Sequence, residues 1–231
     1  MAQKTYNSLK EFLNLLELNR SLVHITETVD PHLVAPALAV LTFRRGGPAF
    51  IVDKPDRANL PLAMNIFGRK KHIEWALGRP PEQIGIELLK TIQDLQPPSP
   101  AKIWKHRSVM KRALAMRSTR PKKSPLMSFE NKRALDALPI TQSWQGDSGP
   151  FITWPMVLTT HPVTGGRNLG TYRLQKNSAH ETGMHWQIQK GAGFHYYEAE
   201  KLGQPLPVAV LLGSDPVLMI ASIPLTNFII G

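Results

Sequence analysis

The chain has 231 residues, 42% of them hydrophobic, with a net charge of +11 and no cysteine. This length suits one large domain or two small ones, and the lack of cysteine excludes disulfide frameworks and thiolate metal sites. The sequence has a polar beginning and no apolar run of eighteen residues, so we expect neither a secretory signal nor a transmembrane helix, and we expect a cytoplasmic protein.

The first hundred residues predict alternating helices and strands. Ser8-Leu9-Lys10-Glu11 is a capping-box pattern, which predicts a helix that ends near Asn19. Residues 22–26 predict a strand, and Asp30-Pro31 predicts the start of a helix over about 31–43. Further strands are predicted at 49–52 and 60–66, and further helices at 70–77 and 81–95. This order of elements is typical of an α/β domain.

A basic segment follows. Residues 101–129 contain nine Lys or Arg and no acidic residue, and Pro121 and Pro125 prevent a continuous helix. We interpret residues 106–128 as a linker between an N-terminal domain (1–105) and a second domain (129–231). Because no aromatic stacking platform accompanies the charges, a solvated basic surface is favoured over nucleic-acid binding, and no nucleic-acid partner is expected.

The second domain is predicted to be rich in strands. The predicted strands are 151–160, 168–175, 184–188, 208–212 and 219–223, and the predicted helix is 192–203. The run 208–212 is continuously apolar, which predicts a central strand. The preceding Gly146-Asp147-Ser148-Gly149-Pro150 matches a serine-protease loop, but a tight turn is the favoured interpretation because the partner motifs are missing.

Residues 166–191 carry the densest set of chemically useful side chains. Two predicted strands joined by a polar loop form a hairpin here. Its large polar and aromatic residues are Asn168, Tyr172, Arg173, His185, Trp186, Gln187 and Lys190. Cations, amides and flat rings together suit an anionic aromatic ligand. Arg173 lies among apolar neighbours and needs an anion, either a bound ligand or a structural partner such as Glu198 or Glu200.

The order of several short motifs resembles the UbiD family of decarboxylases, relatives of 4-hydroxybenzoate and ferulic acid decarboxylases. The motifs lie at residues 8–13, 29–31, 45–49, 138–140, 149–153, 167–173, 183–187, 195–200 and 207–210. Each motif is short, and it is their order and spacing along most of the chain that carry the resemblance.

The resemblance implies a carboxy-lyase acting on aromatic or α,β-unsaturated carboxylic acids, with 3-polyprenyl-4-hydroxybenzoate of ubiquinone biosynthesis as one candidate substrate. It implies prenylated FMN as the cofactor and Mn²⁺ or K⁺ as the metal. It also implies that Asn168 binds the metal and that Arg173 is catalytic and holds the substrate carboxylate. The residues implied to line the cofactor are Thr171, Tyr172, Arg173, His185, Trp186, Gln187, Lys190 and Gly191.

The implied fold is α+β, with an N-terminal α/β domain followed by an incomplete, flavin-reductase-like split β-barrel. Full-length relatives are expected to form homo-oligomers. The sequence up to Gly231 does not contain the family's metal-binding glutamate, its catalytic acids or its third domain, and Gln189 replaces a common histidine. We therefore expect a chain that is inactive alone: a fragment, a disrupted copy, or one half of a split enzyme with a complementing chain. A non-catalytic cofactor-binding or interaction subunit is the alternative.

Overall fold

The computed structural model describes residues 6, 8–109, 111, 130, 133–187 and 191–223. The described helices are α1 (Leu9–Leu18), α2 (Val34–Arg44), α3 (Lys70–Leu77), α4 (Pro81–Asp94), α5 (Pro100–Lys105), α6 (Ala134–Ala137), α7 (Gly191–Lys201) and α8 (Pro216–Ala221). The strands are β1 (Leu22–Val29), β2 (Ala49–Pro55), β3 (Leu62–Met64), β4 (Phe151–Ile152), β5 (Met156–Thr160), β6 (Arg167–Thr171), β7 (Leu174–Lys176), β8 (Thr182–Met184) and β9 (Val208–Leu211). Across these ranges, the helices are too short or too polar to cross a bilayer.

The N-terminal part forms a three-stranded sheet in the order β1-β2-β3. Strands β1 and β2 are parallel, which requires a crossover connection, and α2 supplies it. Ser8 caps α1 by accepting a hydrogen bond from the Glu11 backbone N–H at 3.2 Å, as the capping-box pattern predicts. The predicted helices and strands of this part are confirmed, with shifts of a few residues at their ends.

The second part forms two small sheets, in the orders β4-β7-β8 and β6-β5-β9. The mixed α+β class is therefore confirmed. The described strands do not close into a barrel, and the split-barrel detail and the domain boundaries stay predictions. Most of the predicted linker, including residues 112–128, lies outside the described residues.

Two predicted strands are each divided between the two sheets. The predicted strand 151–160 is interrupted at Pro155, which lacks a backbone N–H for the ladder. The predicted strand 168–175 ends at Thr171 and resumes at Leu174 in the other sheet. The predicted hairpin is thus only β7–β8, which pair in antiparallel fashion, and the strand predicted at 184–188 ends at Met184.

Two further predictions were wrong near the end of the described chain. The strand predicted at 219–223 is instead helix α8. Asp215 caps this helix by accepting a hydrogen bond from the Leu218 backbone N–H at 2.9 Å, and Pro216 occupies its first turn, where proline favours a helix. The run at 208–212 forms strand β9, but β9 lies at an edge of its sheet rather than at its centre.

One hydrophobic cluster joins the two parts of the chain. Phe12 and Leu16 of α1 are fully buried in the same cluster as Met156 of β5 and Met219 of α8. Phe67 continues the contact, because its ring lies 5.2 Å from the ring of Trp154. Since β5 pairs with β6, this core holds the strand that carries Asn168 against the N-terminal part.

Candidate functional site

The predicted site residues come from four segments, of which Asn168, Trp186 and the first turn of α7 contact Tyr172. Asn168 and Thr171 lie on β6, and Tyr172 and Arg173 form the link from β6 to β7. His185, Trp186 and Gln187 directly follow β8, and Gly191 is the first residue of α7. The predicted cofactor residue Lys190 lies outside the described residues.

Tyr172 is the centre of the group. Its hydroxyl accepts hydrogen bonds from the Asn168 side-chain amide at 3.3 Å and from the Ala192 backbone N–H at 3.0 Å. Its ring is 4% exposed and folds back over Gly170, where an added Cβ would lie 2.8 Å from the ring. Tyr172 therefore connects β6 to the first turn of α7, and Gly170 provides the space that this requires.

The first residue of α7 lies directly against Asn168. A Cβ added at Gly191 would overlap the Asn168 side-chain amide. This close approach places a polar side chain at a helix N-terminus, where backbone N–H groups and the helix dipole favour anions. The sequence predicted that Gly191 and Asn168 belong to one site, and the structure brings them together.

Helix α7 is held in place by a buried histidine, His195. His195 is buried, and a hydrogen bond of 2.9 Å joins its Nδ1 to the hydroxyl of Thr159 on β5. Burial lowers the pKa of His195, and the neighbouring His161, whose ring lies 5.1 Å away, lowers it further. His195 is thus a neutral anchor of α7, and a histidine at a helical core position was its only signal in the sequence.

Aromatic rings extend the group on one side. Trp186 meets Tyr172 edge-on, with ring centroids 5.4 Å apart, and stacks on Tyr196 at 5.7 Å. Stacked rings of this kind offer a flat apolar surface to a planar ligand. The side chains of His185 and Gln187 are exposed. Among the described residues after β8, Trp186 is therefore the one whose ring packs in this aromatic cluster.

Arg173 has a partner that the sequence did not predict. Its guanidinium donates a hydrogen bond to Asp147 at 3.2 Å and lies 3.8 Å from the centre of the Phe151 ring. The predicted structural partners Glu198 and Glu200 are not the ones used, and Glu198 instead pairs with Lys201. The Arg173 side chain remains 47% exposed, so an incoming anion can reach it.

Asp147 is the site residue that sequence reasoning missed. It lies in the Gly146–Pro150 turn, which the structure confirms as a turn before β4. One carboxylate oxygen accepts the Arg173 hydrogen bond, and the other accepts a hydrogen bond from the Trp144 backbone N–H at 3.2 Å. Only the turn itself was visible in the sequence, because its distance from Arg173 depends on the β4–β7 pairing.

Thr171 faces a different neighbour from Tyr172. Its hydroxyl lies 3.0 Å from the hydroxyl of Ser222, which is buried at the end of α8. Successive residues of a strand point to opposite faces, so Thr171 and Tyr172 diverge. In the structure Thr171 ties β6 to α8.

The described residues fit prenylated FMN better than they fit a divalent cation. A helix N-terminus, a buried tyrosine, a tryptophan surface and an exposed arginine match an anionic flavin. For a metal, Asn168 offers one neutral oxygen, and among the described residues there is no group of three His, Asp or Glu side chains with the geometry to hold an ion. A divalent cation prefers charged oxygen ligands, so these residues alone do not form its site.

A separate cavity of about 320 Å³ lies between the N-terminal part and β7. Asp30, Asp136 and Lys176 are among its lining residues, and Lys176 pairs with Asp136 at 2.9 Å. Its lining, taken from the described chain, includes none of the predicted site residues. The cavity is thus distinct from the group around Tyr172.

Sequence comparisons match two domains of one family. Residues 13–92 match the 3-octaprenyl-4-hydroxybenzoate carboxy-lyase N-terminal domain, and residues 117–228 match the 3-octaprenyl-4-hydroxybenzoate carboxy-lyase Rift-related domain. A Chlamydia trachomatis protein is 36% identical over 221 residues, which are 94% of this chain and 37% of the relative. A 4-hydroxybenzoate decarboxylase subunit of Chlamydia pneumoniae is 31% identical over 217 residues, with 93% of this chain and 37% of the relative covered. The chain thus spans well under half the length of these relatives.

Solved structures show the same fold. An evolved dimeric form of the UbiD-class enzyme HmfF from Pelotomaculum thermopropionicum, in complex with prFMN, has a TM-score of 0.74 and 25% identity, covering 94% of this chain and 47% of that one. The vanillic acid decarboxylase ShVdcCD of Sedimentibacter hydroxybenzoicus, in closed form, has a TM-score of 0.76 and 20% identity, covering 95% of this chain and 45% of that one. With the two domain matches along most of the sequence, these findings show that the chain belongs to the UbiD family of decarboxylases.

Proposed function

We propose that this chain forms one wall of a prenylated-FMN site in a non-oxidative decarboxylase of aromatic or α,β-unsaturated carboxylic acids. The observation that carries the proposal is the contact of Asn168, Tyr172 and the first turn of α7 beside the exposed Arg173. The similarity to HmfF, which binds prFMN, supports the cofactor assignment. The aromatic acid is supported by the name of the C. pneumoniae relative.

Most residues of this wall would bind the flavin. The N-terminus of α7 and Lys190 would face the flavin phosphate. Tyr172 would fix the spacing between α7 and Asn168, because its hydroxyl is bonded to both. Trp186 would cover a face of the ring system and exclude water. Prenylated FMN supplies, when bound, the electron sink that loss of carbon dioxide requires.

Arg173 would bind and orient the substrate carboxylate. A guanidinium has five N–H donors, so it can hold a carboxylate in two-point fashion while one N–H stays on Asp147. The Asp147 contact also keeps the guanidinium over the Phe151 ring, which reduces the freedom that Arg173 would lose on binding substrate.

The reaction needs groups that this wall does not provide. The carbon that loses carbon dioxide must gain a proton from a positioned acid. Among the described residues assigned to this wall, the carboxyl group is that of Asp147, and its two oxygens already accept hydrogen bonds from Arg173 and from the Trp144 backbone N–H. We therefore propose that the proton donor and the charged ligands of a Mn²⁺ or K⁺ ion at Asn168 come from another part of a larger assembly, either a longer protein or a complementing chain. The incomplete metal ligand set equally favours a second candidate, a subunit that binds flavin without turnover.

The proposal is tested by loading the purified chain with cofactor. We expect the chain, co-expressed with a flavin prenyltransferase, to carry flavin that absorption and mass spectrometry detect. We expect release of carbon dioxide from 4-hydroxybenzoate only when the missing groups are supplied by a partner. A folded chain, shown by circular dichroism, that binds neither FMN nor prenylated FMN at millimolar concentration would contradict the proposal.

A further inference from the structure

Strand β9 has the sequence of a central strand and the position of an edge strand. In the part of the chain that the structure describes, β9 pairs only with β5, from Val208 opposite Thr159 to Leu211 opposite Met156. Its residues and the following Leu212 are all apolar, and residues 203–214 contain no charged side chain. A run of this kind is typical of a strand with neighbours on both sides and both faces.

The exposure of β9 shows the same conflict. Val208, Val210 and Leu212 on one face are 37%, 40% and 43% exposed, and Ala209 on the other face is exposed as well. A protein that keeps an edge strand in solvent normally protects it with charges, prolines or bulges. Pro207 stands before the strand, but β9 itself has none of these features.

Strand β1 provides an internal comparison. It also lies at an edge of its sheet, but its exposed residues include His24 and Glu27, and its pairing with β2 is interrupted by a register shift. Of these two edge strands, β1 is protected and β9 is open. The difference indicates that β9 is an interface.

The chemistry of the edge determines the kind of partner. A row of unpaired backbone N–H and C=O groups flanked by alternating valines binds an extended polypeptide strand, by backbone hydrogen bonds and apolar side-chain contacts. A second copy of this chain is disfavoured, because it would bring a further net charge of +11 to a molecule of the same charge. The relatives extend far beyond the part that this chain matches, so their remaining part is a source of such a strand.

We propose that the open edge of β9 accepts a β-strand from a polypeptide carrying the remaining part of the UbiD fold. This inference rests on the proposed function and names its docking surface. Since neighbouring strands lie about 4.8 Å apart, the added strand would lie about 14 Å from β6, in the same sheet as Asn168. Docking there would bring the partner close enough to complete the site.

The first test uses hydrogen exchange on the full chain alone. Every second amide of β9 points away from β5, and we expect these amides to exchange rapidly while those bonded to β5 are protected. Equal protection of all β9 amides would show that the edge is already covered, and would overturn the proposal. This measurement needs no partner and no flavin.

The second test co-expresses the chain with a probe. The probe is the part of the C. trachomatis relative that does not align with this chain. We expect a heteromeric complex by native mass spectrometry and new protection of the outward amides of β9. Val208→Lys and Val210→Lys should weaken association at least about tenfold, because a buried lysine on a strand edge opposes pairing. Both side chains are partly exposed in the chain alone, so its fold should be retained.

Val23→Lys is the matched control, since Val23 is a 49% exposed valine on the edge strand β1. It should change association by less than about twofold, within the range of ordinary surface substitutions. Equal weakening by all three variants, protection outside β9, or a homodimer blocked by Val210→Lys would each contradict the proposal. A complex that forms without binding flavin would refute the proposed function but leave the docking surface intact.

Discussion

At the scale of single residues, one tyrosine hydroxyl and two glycines set how closely β6 and α7 approach each other in the proposed site. Tyr172 is buried with its hydroxyl bonded to the Ala192 backbone N–H, and the glycines at 170 and 191 leave the space that the Tyr172 ring and the Asn168 amide occupy. The sequence showed that these residues cluster along the chain. It did not show that one tyrosine hydroxyl joins Asn168 to α7, because the two partners are separated by residues 169–191.

Replacing Tyr172 by phenylalanine should weaken both the fold and flavin binding. The Ala192 N–H and the Asn168 amide would lose their acceptor, and a buried unsatisfied N–H costs about 1–3 kcal/mol. Urea unfolding should show this loss in the free energy of unfolding, and FMN fluorescence titration should show weaker binding. Tyr197→Phe, at a half-exposed tyrosine on α7, the helix that carries Ala192, is the control. An equal effect of both variants would argue against the role of the Tyr172 hydroxyl.

Replacing Gly191 by alanine should disturb the contact with Asn168. The added methyl group would overlap the Asn168 amide, so we expect FMN affinity to fall by about tenfold or more. Gly85→Ala is the matched control, because an added Cβ at that position in α4 has open space. It should raise stability by about 0.5–1 kcal/mol, as alanine favours a helix over glycine. Unchanged FMN affinity in Gly191→Ala would contradict the close approach as a part of the site.

At the scale of elements, single residues decide where strands end and helices begin. Pro155 divides a predicted strand and sends β4 and β5 to different sheets, and Asp215-Pro216 starts α8 where apolar periodicity favoured a strand. Both signals are present in the sequence. The proline and capping signals were given less weight than the apolar pattern. Short apolar runs fit a strand and a buried helix equally well, so that pattern alone does not distinguish the two.

Replacing Asp215 by alanine should destabilise α8. The lost cap hydrogen bond to the Leu218 N–H costs about 1 kcal/mol, typical of an N-cap. Asp215→Asn keeps a capping oxygen and should remain within about 0.5 kcal/mol of the wild type. Chemical unfolding of both variants measures the difference. If the two lose the same stability, the negative charge rather than the cap would be the contribution.

At the scale of the whole molecule, one hydrophobic core joins the two parts, and each part contains a buried histidine. His72 is fully buried, with a hydrogen bond of 3.1 Å between its Nδ1 and the Ile66 carbonyl. Burial lowers the pKa of His72, and Arg69 and Lys71 lower it further, although the Ile66 carbonyl acts in the opposite direction. The pKa of His195 is lowered as well.

These histidines should make the fold sensitive to mild acid. Their folded-state pKa values lie below the unfolded value of about 6.5, so the unfolded chain binds more protons as the pH falls. Stability should be complete above about pH 6.5 and decrease below it, by at most about 1.4 kcal/mol per pH unit for each histidine. Urea unfolding between pH 8 and pH 5 measures the slope.

The variant His72→Gln separates this effect from general acid sensitivity. It should be less stable at pH 8, because the stack of His72 on Trp75 is lost, but it should show a smaller loss between pH 7 and pH 5. His180→Gln, at an exposed histidine, should retain the wild-type slope. An unchanged slope in His72→Gln would assign the pH dependence to other groups.

The sequence by itself determined the family, the mixed α+β class and the N-terminal helices and strands, because local patterns and short motifs are written along the chain; the site in residues 166–191 stays a prediction. Only the tertiary structure decided that Asp147 is the partner of Arg173, that α7 rests on Asn168, Tyr172 and Thr159, and that β9 lies at an open edge. The physical reason is that these features depend on pairing between distant strands. A strand's sequence specifies which of its faces are apolar, but its neighbours in the sheet are set by the rest of the fold.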